Sequence, residues 1–247
     1  MSSNCKILGI TFFNGSLKES LRLSKLGGLV VAPSGPSLAC DLACCDVYKS
    51  SLLKSDLVLP DRGLMCLFQN LFKRLKIKRI SGLNFLKHYL ENYNHHEPFF
   101  WIMPNKPQDK TNRLWLRNNH GFKINDHESY CAPLYNETGI IQDTILLSMI
   151  NDVKPKTIFI QLGGGVQERL GMFLKENLEY NPTILCTGAA LAFLSGEQVH
   201  IPKWADQLYL GWLFRCFFKP NLYIPRYAKA FRLIFMLLKY GEKSPSR

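Results

Sequence analysis

The chain has 247 residues, 47% of them hydrophobic and 20% charged, and a net charge of +12. That is the balance of a globular chain with a sizeable core, and it excludes a disordered or collagen-like one. No uncharged apolar stretch reaches the ~18 residues needed to span a bilayer, and the N-terminus lacks a basic segment leading into an apolar run and a cleavage site, so a cytosolic location is expected.

Ile7 to Phe13 reads as a first strand or strand pair, with Asn14-Gly15 as a turn signal. Gly28 to Ala32 is a short buried strand, stopped by Pro33-Ser34-Gly35-Pro36, and a helix follows from Ser37 through Cys45. Tyr48 to Lys54 is another short helix. Asp56 to Leu59 is a strand broken at Pro60-Asp61-Arg62-Gly63. Leu64 to Leu75 and Asn84 to Tyr93 are helical in pattern. Pro98 to Met103 is an apolar strand, and Pro104 to Arg113, polar and proline-bearing, reads as a loop. Ser129 to Leu134 is a weak strand and Asp143 to Asp152 a helix.

Ile158 to Leu162 then runs as a strand into Gly163-Gly164-Gly165-Val166-Gln167-Glu168, and a helix continues to Asn177. Thr183 to Thr187 is the next strand, followed by Gly188-Ala189-Ala190. Strands alternating with helices at this spacing predict an α/β fold, a Rossmann-like parallel sheet with helices on both faces. Ligands of such sheets bind outside the carboxyl ends of the strands. Four loops fall there: Pro33 to Pro36, Pro60 to Gly63, Gly163 to Glu168 and Thr187 to Ala190.

After Gly196 the character changes, which predicts a core over residues 1–200 and a helical appendage over 201–247. The appendage carries nine Lys/Arg against Asp206 and Glu242 alone, a net +7, interleaved with aromatics. It reads as two helices split near Pro220 to Pro225. A basic, aromatic, amphipathic helix such as Tyr227 to Tyr240 suits a membrane interface; docking on its own domain or on a dimer partner is the alternative. A second basic cluster is Lys73, Arg74, Lys76, Lys78 and Arg79. Such patches suit a membrane, a phosphorylated substrate or nucleic acid.

The glycine triplet between strand and helix has the makings of a phosphate cradle. Glycine lets the backbone approach an anion, and the first-turn N–H groups with the helix dipole face it. Gln167 and Glu168 are expected in that first turn, projecting toward the same mouth. A carboxylate there argues against a bare diphosphate and for a sugar nucleotide, which has hydroxyls to bind. Asp61 can project from its tight turn as a general base, or cap a helix. The eight cysteines show neither paired spacing nor neighbouring histidines, so no metal site is expected.

These residues carry a resemblance. Gly163 to Glu168, Thr187 to Gly196, Ile201 to Asp206, Leu210 to Arg215 and Pro225-Arg226-Tyr227 fall in the order seen in the TagA/WecG/CpsF glycosyltransferases, glycosyltransferase family 26. Leu57 to Asp61 resembles that family's strand ending in its proposed catalytic aspartate, and Arg79-Ile80-Ser81-Gly82 its Arg-x-x-Gly element. The resemblance implies inverting, metal-independent transfer of a sugar, N-acetylmannosamine or a related hexose. The donor would be a UDP-sugar and the acceptor a polyprenyl-diphosphate-linked sugar at the cytosolic membrane face, in bacterial surface polysaccharide synthesis. No cofactor is implied.

On this reading Asp61 is catalytic. Ser34, Arg79, Gly163, Gly164, Gly165, Gln167, Glu168, Gly188, Arg215 and Arg226 bind substrate, the last two arginines neutralising the leaving diphosphate. Partners are the donor, the acceptor and the membrane surface, with a homo-oligomer possible and nucleic acid not expected. The sequence departs from the family pattern at Ala32-Pro33-Ser34, at Asp61-Arg62-Gly63, at Gly165, and at Pro104 to Pro107. A nucleic-acid-binding protein and a non-catalytic scaffold are the competing readings.

Overall fold

The computed structural model describes residues 4–61, 63–72, 76–196, 217 and 220–245, and only the backbone of 64, 222, 223 and 226–230. A hairpin opens the chain. β1 (Cys5–Ile7) and β2 (Ile10–Phe12) pair antiparallel. Leu8 and Gly9 between them have positive φ angles of 51° and 82°, as the primed two-residue hairpin turns require. α1 (Leu17–Ser24) follows, where the sequence reading placed no helix. Its start signal is nonetheless present: Ser16 accepts from the N–H of Glu19, the Ser-x-x-Glu spacing of a capping box.

The main sheet is built from β3 (Gly28–Val31), β4 (Leu57–Val58), β5 (Phe99–Met103), β6 (Ser129–Cys131), β7 (Thr157–Ile160) and β8 (Thr183–Cys186). Their order is β4-β3-β8-β7-β5-β6, and all pairings are parallel. The connecting helices are α2 (Gly35–Cys44), α3 (Asp46–Leu53), α4 (Gly63–Phe72), α5 (Gly82–Glu91), α6 (Lys106–His120), α7 (Thr144–Val153), α8 (Val166–Asn177) and α9 (Ala190–Leu194). This is the expected Rossmann-like architecture.

Alternate strand residues enter two separate cores. Leu29, Val31, Ile158, Ile160, Ile184 and Cys186 join one, with side chains of α2, α3, α7 and α8. Val30, Phe159, Leu185, Trp101 and Met103 join the other, under α5, α6 and α9. Because both faces are covered, the strands read as continuous apolar runs and do not alternate. Trp101 and Phe159 stack across neighbouring strands with ring centroids 4.0 Å apart.

Two sequence expectations are corrected. The expected loop from Pro104 to Arg113 is largely helical, since α6 begins at Lys106. Asn105 accepts from the N–H of Gln108, Pro107 sits in the first turn, and Gly121 ends the helix at φ 71°. Proline there starts a helix rather than breaking one, because the first-turn N–H groups lack intrahelical partners anyway. No break falls between Pro220 and Pro225, where the sequence suggests a split. α10 (Pro220–Tyr240) runs through Pro225; the helix predicted before it lies outside the described residues.

α10 packs on α2, burying Leu233, Met236 and Leu237 in the first core. Beyond it the chain turns back to the hairpin. The N–H groups of Leu8 and Gly9 donate to the carbonyls of Gly241 and Glu242 at 2.8 and 2.9 Å. Lys49 reaches the carbonyl of Pro245 at 3.1 Å.

α8 lies unusually close to the sheet at Gly171. A Cβ there would sit 2.7 Å from Leu29 Cδ1 and 2.9 Å from Cys186 Sγ. Alanine at 171 would gain about 1 kcal/mol of helix propensity but force an overpacking that costs roughly 1–3 kcal/mol. Gly171→Ala is therefore expected to lower the denaturant midpoint. A midpoint at or above wild type would mean that α8 can back away from the sheet freely.

Candidate active site

The loops after β3, β4, β7 and β8 meet at one edge of the sheet, and a chain of contacts links them. At one end is the glycine loop. Gly164 is held against α2: a Cβ on it would lie 2.6 Å from Ser34 Oγ and 2.8 Å from Ser37 Oγ. Ser34 is buried and caps α2, accepting from the N–H of Ser37 and sharing a 2.7 Å bond with its hydroxyl. Gly163, in contrast, faces open space. Among the described residues the N–H groups of Gly163 and Gly164 have no hydrogen-bond partner. Gly165 adopts a φ of 89°, which a side chain would strain, and its free face meets Asp41.

Gln167 and Glu168 stand in the first turn of α8 as expected, but they do not project into an open mouth. They are 1% and 0% exposed. Glu168 Oε2 accepts from the N–H of Gly165 at 2.7 Å and Oε1 from Gln167 Nε2 at 3.0 Å. Gln167 Oε1 in turn accepts from the N–H of Gly188 at 2.7 Å. The two side chains thus lie beneath the loops and tie the glycine turn after β7 to the turn after β8. Burial, opposed by those donated bonds, pushes the Glu168 carboxyl up to about 7, and Asp41 adds to the rise.

Arg169 was not singled out from the sequence, and it completes this layer. It is buried, and its guanidinium donates to the carbonyls of Gly165, Gly139, Asn136 and Glu137 at 2.7–3.0 Å. One side chain therefore fixes the exit of the glycine loop and the Asn136 to Gly139 segment. Gln161 acts similarly: its amide donates to Thr187 Oγ1 at 3.1 Å and accepts from the N–H of Leu191 at 3.2 Å. For Gln161 the signal that could have found it is a polar residue at the end of an otherwise apolar strand, since such a residue needs a buried partner; Arg169, third in a polar run at the head of a helix, carries no such local signal.

At the other end is the Asp61 turn. Asp61 is half-buried, and its Oδ1 accepts from the N–H of Gly82 at 3.0 Å. Arg79 Nε donates to the Asp61 carbonyl at 2.9 Å. Gly82 abuts both neighbouring loops, since a Cβ there would lie 3.1 Å from Ala32 Cβ and 3.3 Å from the Thr187 carbonyl. The contacts therefore run without a gap from Asp61 through Gly82, Thr187 and Gly188 to Gln167, Glu168 and the glycine loop. The structure brings together Asp61, Ser34, Arg79, Gly163, Gly164, Gly165, Gln167, Glu168 and Gly188. Arg215 lies outside the described residues, and so does the side chain of Arg226.

Among the described residues, no group of His, Cys, Asp and Glu side chains could hold a metal. A hollow of about 590 Å³ lies elsewhere, between the C-terminal halves of α5 and α6, lined by Lys87, His95, Trp115 and His120 among others. Its size does not make it the site. The strand carboxyl ends converge on the loops described above and not on this hollow.

A family model described as the glycosyl transferase WecG/TagA/CpsF family matches residues 5–247. No curated protein matches the chain.

The raised Glu168 carboxyl has a measurable consequence. Folding favours its protonated form, whereas in the unfolded chain it titrates near its ordinary value of 4.5. Between that value and about 7 the folded chain binds more protons, so stability contributed at low pH is lost as pH rises through this window. One proton allows a slope of at most about 1.4 kcal/mol per pH unit. Glu168→Gln is expected to flatten this dependence in urea melts across the window. Equal slopes in the two proteins would show that the buried carboxyl does not titrate there.

Proposed function

The chain belongs to the WecG/TagA/CpsF glycosyltransferase family, and on that premise we propose that it moves a hexose from a UDP-sugar to a polyprenyl-diphosphate-linked acceptor with inversion. Membership itself brings a sugar-nucleotide donor and a lipid-linked acceptor in general terms. The finer reading is supported above all by one observation. A turn exposed at Gly163, where the Gly163 and Gly164 N–H groups have no partner among the described residues, shares a continuous contact chain with a strand-end carboxylate, Asp61.

In this reading the donor phosphates rest on the Gly163 and Gly164 N–H groups at the start of α8, where the helix dipole adds to the attraction. The acceptor hydroxyl attacks the anomeric carbon as Asp61 takes its proton. The bond from that carbon to the diphosphate oxygen breaks, and UDP departs from the opposite side. Arg215 and Arg226 meet the charge that develops on the leaving group. Gln167 and Glu168 act by holding the two turns and not by touching the sugar, because their polar atoms are already engaged with each other and with the loops.

Asp61→Asn tests the base. Asparagine keeps an oxygen for the Gly82 N–H, so the turn should hold and the melting temperature should stay near wild type. Transfer should fall by about 10²–10⁴-fold, the usual worth of a general base. Wild-type turnover by the variant would reduce Asp61 to a turn residue. If a panel of UDP-sugars fails to bind even the wild-type protein, the non-catalytic scaffold is the better reading.

Chelation tests how phosphate charge is met. The chain has no Asp-x-Asp pair of the kind that holds a nucleotide-bound divalent ion. Turnover is expected to survive EDTA unchanged. Abolition by EDTA with rescue by magnesium or manganese would transfer the role of the two arginines to a metal.

A further inference from the structure

We propose that the hollow between α5 and α6 is a second binding site, taking a neutral oligosaccharide with Trp115 as its stacking platform. The hollow stands apart from the loops that carry Asp61 and the glycine turn. His95 lies on the segment leading into β5, and His120 ends α6 on the way into β6. The hollow therefore lies toward the amino ends of the strands, and the candidate active site at their carboxyl ends. Its volume of about 590 Å³ is within the roughly 300–1,000 Å³ of small-molecule sites.

The walls are held in place by the fold. Trp115 is half-buried against the second core, and its ring centroid lies 5.1 Å from that of His120. The His95 ring stands edge-on to Phe122 at 4.7 Å and to Tyr93 at 5.8 Å, both of them buried. Asn119, one turn beyond Trp115, donates its side-chain amide to the Trp115 carbonyl at 2.9 Å, which leaves the amide oxygen as an acceptor. Leu90 and Leu194 add apolar surface beside the indole.

Chemistry selects the occupant. A pyranose ring has apolar C–H faces edged by hydroxyls, and each hydroxyl both donates and accepts. An aromatic ring among apolar side chains suits the faces, and a rim of mixed polarity suits the hydroxyls. The lining offers both kinds of group: Lys87 and the imidazoles donate, Glu91 accepts, and Asn119 does either. Lys87 and Glu91 lie 3.9 Å apart on one face of α5, so their charges offset each other. Burial holds the His120 imidazole below its ordinary pKa, which favours its neutral form. A phosphate or carboxylate only accepts, and it would meet Glu91 as a like charge. The glycine turn differs in this respect, since its N–H groups suit an anion. The inference does not rest on the proposed transfer reaction.

The test uses the full chain with no donor present. Wild type, Trp115→Ala and Asn119→Ala are titrated calorimetrically with cellobiose, maltose and N,N′-diacetylchitobiose, and separately with UMP. At least one of the three disaccharides should bind wild type saturably. Trp115→Ala should weaken that binding about 10-fold, through loss of the platform. Asn119→Ala should weaken it about 3–10-fold, the worth of one hydrogen bond. Any UMP that binds wild type should bind both variants equally, because a nucleotide belongs at the glycine turn. Asn119 is exposed, so its replacement leaves the fold intact, and that variant decides the matter if Trp115→Ala melts early. Failure of all three disaccharides to bind wild type would overturn the proposal. So would disaccharide binding that Asn119→Ala leaves at wild-type strength, or UMP binding that a normally melting Trp115→Ala abolishes, which would give the hollow to a nucleotide.

Discussion

Three consecutive buried polar side chains at the head of α8 hold the loops of this molecule in place. Gln167 reaches the turn after β8, Glu168 the turn after β7, and Arg169 the segment around Gly139. Buried polar groups are tolerated when every partner is present, and a half-satisfied set is worse than an apolar one. That asymmetry makes the arrangement all-or-none. Losing any one partner leaves a donor or a charge stranded in the interior. The glycine turn is consequently not a slack loop that could settle around any anion. Its shape is fixed before a ligand arrives, which is what a site relying on backbone N–H groups needs.

The fold was largely legible because a parallel sheet buried on both faces writes itself as short apolar runs between turn residues. Val30 and Val31, or Phe159 and Ile160, point to opposite cores yet are both apolar, so each strand stands out. The elements that were missed are those whose signal is local and not periodic. α1 is only eight residues long, and its Ser16/Glu19 start was the better clue. α6 was lost because Pro107 was taken as a breaker, when its position after Asn105 made it a first-turn residue. In both cases cap chemistry carried more information than hydrophobic pattern.

That the named residues lie near one another was legible in the sequence; how their side chains are directed was less so. Asp61, Ser34 and the glycine triplet fall in the loops after strands, and that follows from topology once the strands are placed; Arg79 lies between α4 and α5 and reaches the Asp61 carbonyl from there. The direction of Gln167 and Glu168 did not follow. First-turn residues can face a ligand or the layer beneath, and the choice is made by the neighbouring Gly188 turn, whose N–H lies 2.7 Å from Gln167. Nothing local to Gln167 encodes that neighbour, which is 21 residues away. Ser34 shows the same ambiguity, because a hydroxyl read as a ligand group is also the cap of α2.

α10 joins these threads. A helix apolar on one side can be explained by its own core, and Leu233, Met236 and Leu237 are so explained. A helix apolar on the opposite side as well, as α10 is at Ile224, Phe235 and Leu238, has more apolar surface than the described residues cover. The described end of the chain is pinned, since Gly241 and Glu242 hydrogen-bond the β1–β2 turn. The outer stripe therefore cannot roll inward to hide itself without breaking those bonds and unpacking the buried one. Only something outside the described fold can cover it. Because α2 lies directly beneath α10 and caps itself with Ser34 against the glycine loop, whatever covers α10 bears on a rigid path of packed elements ending at Gly164.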